Sequence, residues 1–304
     1  MIRVANAPVS YGVFELTGGK SEGLPKPGAL LDAVAAAGYE GVDLGPPGFL
    51  GEGSDLRSAL ASRRLALAGG WVALRLPDPQ ALEEDLAALD AVLDSFQVAA
   101  DLSPELAPRP TLADAGSPER AANPGRGKDL PEIGLDGAGW ERLAGAVQRA
   151  ADRCRARGLE PTFHHHAGTH VEAPHEIERL LELTDVSLCL DTGHLLLGGG
   201  DPVQALQDWG QRINHVHLKD VRLDVIRRVV AERAPMEAVW TREAFRELGT
   251  GDLDVDGFLS GLGRLGYSGW LVVEQDRIPS PGEPIAASAA AQARNRSFLR
   301  HRGL

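Results

Sequence analysis

The stretch LCLDTGH (188–194) ends a short apolar run on an aspartate, and it stands between TFHHHAGTH (162–170) and INHVHLKD (213–220). Of the nine histidines in the chain, all but His301 fall within 164–217. Residues i and i+2 of a strand share a face, so His164 and His166 point one way, and His215 and His217 do likewise. Three successive apolar runs carrying His or Asp at their ends supply the ligand types that a divalent cation needs. An enzyme built around such a metal is the expectation.

Outward from this centre, short apolar runs alternate with longer amphipathic ones about eight times, the βα pattern of a parallel sheet. Strands are expected at 2–9, 41–44, 65–74, 98–102, around the histidine triplet, and at 186–191, 213–217 and 270–273. Helices are expected over 27–37, 55–64, 78–96, 140–157, 176–183, 203–211, 255–265 and 285–301. Ser54 stands where the second helix would be capped. Eight such units make a closed (β/α)8 TIM barrel the natural α/β architecture, as a single domain over 1–304. Two stretches break the period, at about 103–139 and 221–251. At the C-terminal ends of barrel strands, excursions of this length serve as lids or rims, or as insertions and subunit contacts.

The chain has 304 residues, 43% of them hydrophobic, and a formal net charge of −12. An acidic protein repels phosphate backbones, which argues against nucleic acid as a partner. No apolar run approaches about 18 residues, so no membrane span is expected. The first residues lack the basic flank and apolar core of a signal peptide. Two cysteines, Cys154 and Cys189, make no disulfide framework, which points to a reducing, cytoplasmic setting. The expected partner is a small polyhydroxylated carbonyl substrate, and a homo-oligomer is compatible with the chain.

Asp191, His217 and Glu274 fall where the sixth, seventh and eighth strands end, the active face of such barrels. His164 or His166 from the fifth strand would complete a set drawn from four adjacent strands. Oxygen and imidazole ligands suit Mn²⁺, Co²⁺, Fe²⁺ or Zn²⁺, and the lack of thiolates argues against a structural zinc. Asp191 has a rival role as a helix cap. Glu274 follows three apolar residues, where a buried carboxylate would be costly without a cation. His165 faces the other way and is expected to be a bystander turned towards the helices. Lys219 shares a face with His217 and is a candidate to stabilise an oxyanion or shuttle a proton, its alternative being a surface pair with Asp220. His166 and Glu274 are further catalytic candidates. Asp43, Trp71, His194 and His215 are candidates for substrate contact, and His194, one turn beyond Asp191, is equally a candidate to support the ligands from behind.

The strings FHHHAGTHVE (163–172), LCLDTGHLLLGGGDP (188–202), RINHVHLKDVR (212–222) and GYSGWLVVEQD (266–276) resemble the inosose dehydratases, which belong to the xylose-isomerase-like barrels. GYEGVDLGP (38–46) and NAPVSYG (6–12) add to the likeness. The resemblance implies one divalent metal, usually Mn²⁺ or Co²⁺, with Zn²⁺, Fe²⁺ or Mg²⁺ as further choices, held by Asp191, His217 and Glu274. Related isomerases have a Glu where this chain has His164, and the dehydratase pattern shares that change. Two segments depart from the family: SYGVFEL (10–16), where dehydratases commonly have a Trp and an Asn-Asp-Asp run, and FRELGTGD (245–252). The implied activity is dehydration of a cyclic keto-polyol such as 2-keto-myo-inositol through a metal-bound enediolate. The same enediolate serves a sugar isomerase or epimerase, the alternative. A nuclease like endonuclease IV would need a basic groove, against which the charge counts, and a barrel that only binds sugar would leave it unchanged.

Overall fold

Strand β1 (Ile2–Asn6) opens the chain in a computed structural model that describes residues 1–14, 24–280 and 282–304. Part of the departure noted after the first strand, at Glu15 and Leu16, lies outside the described residues. In order follow β2 (Gly41–Val42), β3 (Ala66–Leu67), β4 (Gly69–Leu74), β5 (Arg109–Asp114), β6 (Thr162–His164), β7 (Leu188–Asp191) and β8 (Ile213–Leu218). The last three are β9 (Asp220–Val221), β10 (Phe245–Arg246) and β11 (Gly269–Val273). Nine strands make one sheet, ordered β3-β2-β1-β11-β8-β7-β6-β5-β4, while β9 and β10 pair as an antiparallel ribbon.

The two outer members of that order are one stave interrupted at Ala68. Its N–H donates to the Val42 carbonyl and its own carbonyl accepts from the Arg109 N–H, both at 3.0 Å. The sheet therefore closes on itself as an eight-stave parallel barrel. Alternate residues of each stave face inward. Trp270 is fully buried at the lower level, and Ala5, Ala66 and Ala68 leave room for its indole. Gly41 is needed beside it, because a Cβ there would lie 2.8 Å from the ring. One level higher, the inward positions turn polar.

The helices form the outer layer. Helix Pro79–Ala99 shows why: Asp78 accepts from the N–H groups of Gln80 and Ala81, and Leu82, Leu86, Leu89, Leu93 and Phe96 bury one face at helical spacing. Each such side chain contributes about 1.5–3 kcal/mol through burial. Ser54 does not cap the preceding helix, which begins at Gly53 with Glu52 in the cap position.

The expected strand at 98–102 is absent. That Ala-rich segment continues the helix to Ala99 and ends in a 3₁₀ turn, Ala100–Leu102. The fourth stave is instead β5, inside the expected loop at 103–139. Pro110 masks it in the sequence, since proline lacks the N–H of a central strand. The second excursion holds β9, helices Leu223–Ala231 and Glu237–Thr241, and β10. The two excursions are joined where the Met236 N–H donates to the Ala121 carbonyl at 2.9 Å. Among the described residues no helix is long and apolar enough to cross a membrane.

Candidate metal centre

His164 ends β6, Asp191 ends β7, His217 sits one residue before the end of β8, and Glu274 follows β11 directly. The barrel register pairs Asp191 with His217 and His217 with Val272. This brings the three expected ligands to one mouth, around a cavity of about 240 Å³ that Asp43, Trp71, His164, His166, His217, Lys219, Glu274 and Asp276 help to line.

Asp191 divides its two oxygens between fold and site. Oδ1 accepts from the His194 N–H at 2.9 Å and caps helix Thr192–Leu197. Oδ2 faces the barrel axis, 3.1 Å from His164 Nε2, 3.3 Å from Lys219 Nζ and 3.7 Å from His217 Nδ1. Both roles weighed for this residue are thus open to it at once. His217 Nδ1 is also 3.0 Å from Glu274 Oε2, yet neither ring nitrogen meets hydrogen-bond geometry.

A buried imidazole without hydrogen bonds, at such separations from two carboxylates, fits the donor set of a cation. Donors about 2.1 Å from a shared ion are typically about 3 to 3.5 Å apart. Asp191, His217 and Glu274 offer atoms within 4.8 Å of one another, as do His164, Asp191 and His194. Cys189, a buried free thiol that burial pushes up to about 11, also comes close to His164 and His217.

The electrostatics prepare carboxylates as ligands. Burial pushes Glu274 up, but His217 and Lys219 outweigh it and hold the group at about 2. Burial likewise opposes ionisation of Asp191, and Lys219, His194, His164 and His217 together hold it well below the usual range. The Lys219 ammonium resists burial because Asp191, Asp276 and Glu274 surround it, with Asp276 Oδ1 at 2.9 Å and Glu274 Oε2 at 3.0 Å. Burial lowers His166 to about 3, with His164 and Lys219 adding to the effect. Asp43 rises to about 7, chiefly through burial, and its Oδ2 lies 3.5 Å from His217 Nε2.

Several expected roles change. Lys219 is not a surface residue paired with Asp220; it is buried and faces the cavity. The Asp220 carboxylate instead accepts from the N–H groups of Val221, Gly249, Gly251 and Leu253 at 2.8–3.0 Å, which holds the GTGD loop. His194 and His215, expected to touch substrate, do not line the cavity. His194 lies behind His166, ring centroids 3.8 Å apart, and its Nε2 accepts from Lys219. His215 is two residues below His217 on the same face, hence deeper in the barrel and fully buried. His165 also stays out of the cavity, and its Nε2 accepts from the Asp191 N–H at 3.2 Å. Asp276 was not foreseen. It shares the face of Glu274 at i+2, but the apolar run stops at Val273, so nothing marked the strand's direction as persisting.

A parallel barrel with this mouth belongs to the xylose isomerase-like TIM barrel family, whose model matches residues 31–298. Within it the chain falls in the inosose dehydratase family. It is 32% identical over 267 residues to the inosose dehydratase of Geobacillus kaustophilus (strain HTA426), covering 86% of this chain and 84% of that one. Among solved structures, IOLI protein with a bound zinc atom superposes with a TM-score of 0.71 at 13% identity, covering 99% of this chain and 98% of that one. The D-allulose 3-epimerase of Methylomonas sp., in complex with D-allulose, gives 0.67 at 14% identity, with 99% and 97% covered. At these identities the two structures speak for the fold alone.

Proposed function

We propose that the protein is a divalent-metal-dependent dehydratase of a cyclic keto-polyol such as 2-keto-myo-inositol. The observation that carries this is His217 Nδ1, buried between Asp191 and Glu274 carboxylates at 3.7 and 3.0 Å without a hydrogen bond, in a chain 32% identical to an inosose dehydratase. Asp191, His217 and Glu274 would hold the ion, with His164 as the fourth ligand on the strength of its 3.1 Å approach to Asp191. A nitrogen and carboxylate set suits Mn²⁺, Co²⁺, Fe²⁺ or Zn²⁺, and the likeness to inosose dehydratases favours Mn²⁺ or Co²⁺ among these and Mg²⁺. When bound, such an ion supplies Lewis-acid polarisation of a substrate carbonyl.

The chain's own groups do the rest. His166 Nδ1 lies 2.7 Å from the Ala167 carbonyl, so it carries the proton there and leaves the Nε2 lone pair as base. That nitrogen takes the proton α to the carbonyl, the C–H electron pair moves towards the carbonyl, and the neighbouring C–O bond then breaks. The imidazolium so formed passes the proton to the departing hydroxyl, which leaves as water. Lys219 lines the cavity, where its ammonium stabilises oxygen anions. Asp43 and Trp71 line the wall against which a polyol ring would rest. Both cysteines are buried free thiols, and we place the enzyme in the cytoplasm.

The test combines elemental analysis of the purified protein with incubation of 2-keto-myo-inositol in Mn²⁺. A product lighter by one water, with a new ultraviolet-absorbing dione, is expected. An isomer of equal mass would make the chain an epimerase, and unchanged ketone would leave only binding.

A further inference from the structure

Above the metal centre the rim carries a second cavity, of about 540 Å³, which meets the first at Trp71, His166 and Trp240. Its walls are short and apolar, with Ala73, Ala121, Ala122 and Pro235 among them. Two carboxylates, Asp114 and Glu237, also line it, and among the described residues no Lys or Arg does. Asp114 ends β5 and is 1% exposed. Its Oδ2 meets the backbone N–H of His170 at 2.9 Å and the ring Nδ1 at 2.8 Å, whereas Oδ1 has no hydrogen-bond partner. A buried carboxylate oxygen without a donor is an exception that calls for a cause.

The inner cavity falls below the roughly 300 Å³ at which sites for larger ligands begin, so it suits a single small ring. The outer one has room for an appendage on that ring. Negative side chains without counter-charges, beside two indoles, favour an organic cation over an anion or a neutral group. We propose that the outer cavity is a subsite for an ammonium-bearing substituent of the substrate. Its apolar stem lies along the alanine wall near Trp71 and Trp240, and its N–H donates to Asp114 Oδ1. This deepens the proposed function and rests on the inner cavity being the keto-polyol site.

The test is a titration of the full chain at pH 7, with and without Mn²⁺, following tryptophan fluorescence. The probes are benzylammonium, benzyl alcohol and benzoate. Saturable binding of benzylammonium is expected, at least tenfold tighter than benzyl alcohol, with no binding of benzoate. Asp114→Asn should abolish that tenfold preference, and Ala122→Phe, which fills the cavity, should weaken both ligands at least tenfold. Circular dichroism verifies folding, and Glu237→Gln supplies the charge test if Asp114→Asn does not fold. Equal binding of the amine and the alcohol, no binding of either, or undiminished binding in Ala122→Phe overturns the subsite. The readout needs no turnover. Intact amine binding without dehydration of 2-keto-myo-inositol would therefore sink the proposed function alone, and the converse would sink the subsite alone.

Discussion

Replacing Asp191 by asparagine and by alanine separates the two duties of its carboxylate. Asparagine keeps a carbonyl oxygen to accept from the His194 N–H, now at 2.9 Å, but loses the charge that faces His164, His217 and Lys219. Alanine loses both. An N-cap exchanged for alanine costs about 1 kcal/mol, within a range of roughly 0.5–2. In a chain of this size that lowers the melting temperature by about 2 °C. Removal of the charge is common to both variants, and Lys219 keeps Asp276 and Glu274 as partners, so it is not left as a lone buried cation. Loss of a direct ligand should exceed the 10–100-fold typical for groups that merely orient a ligand, so at least about 100-fold in metal affinity, or about 3 kcal/mol, is expected. The assays are Mn²⁺ retention after gel filtration and thermal melting in EDTA. Both variants should lose Mn²⁺ and activity, with Asp191→Ala melting about 2 °C below Asp191→Asn. Stoichiometric Mn²⁺ in either variant would refute the ligand assignment, and identical melting would refute the division of the two oxygens.

Three further outcomes are expected. Because burial raises folded Asp43 to about 7, above an unfolded value near about 3.9, the metal-free protein binds this proton more tightly when folded; stability should fall as pH rises from about 4 to 7. Asp43→Asn should flatten that slope in EDTA melts, and an unchanged slope would count against it. His165→Ala should lower stability by about 2–4 kcal/mol, since it empties a fully buried site and strands the Asp191 N–H, while Mn²⁺ is retained; His164→Ala should show the reverse pattern, and equal Mn²⁺ loss in both would contradict the strand phase. Asp220→Ala strands four backbone donors and should cost about 4 kcal/mol or more by urea unfolding, and a cost under about 1 kcal/mol would show that the GTGD loop is held by other means.

The mouth of the barrel was legible because strand periodicity is rigid. Once 188–191, 213–218 and 269–273 are strands, the inward facing of Asp191, His217 and Lys219 follows, and Glu274 continues the pattern. Local patterning could not say how far below the mouth a residue lies. His215 has the same phase as His217 yet sits a level deeper, and His194 turns behind His166 because a helix, not a loop, follows Asp191. The fourth stave was hidden by composition. Pro110 within β5 opposes what tertiary pairing with β4 imposes, whereas Ala99 and Ala100 follow their own propensity into the helix and the turn after it. Asp276 was missed because no local signal marks a carboxylate that answers a lysine 57 positions earlier.

The bond between the Met236 amide and the Ala121 carbonyl has a consequence for how this barrel can diversify. Two insertions, bonded through residues 121 and 236, are stitched into a single collar, so neither can be remodelled alone. A relative that lengthens one without adjusting the other would leave a backbone donor or acceptor stranded at the rim. Changes in the short helix Pro118–Ala121 and the 234–240 segment should therefore arise in matched pairs, and grafting a new specificity onto this scaffold would mean exchanging both pieces together.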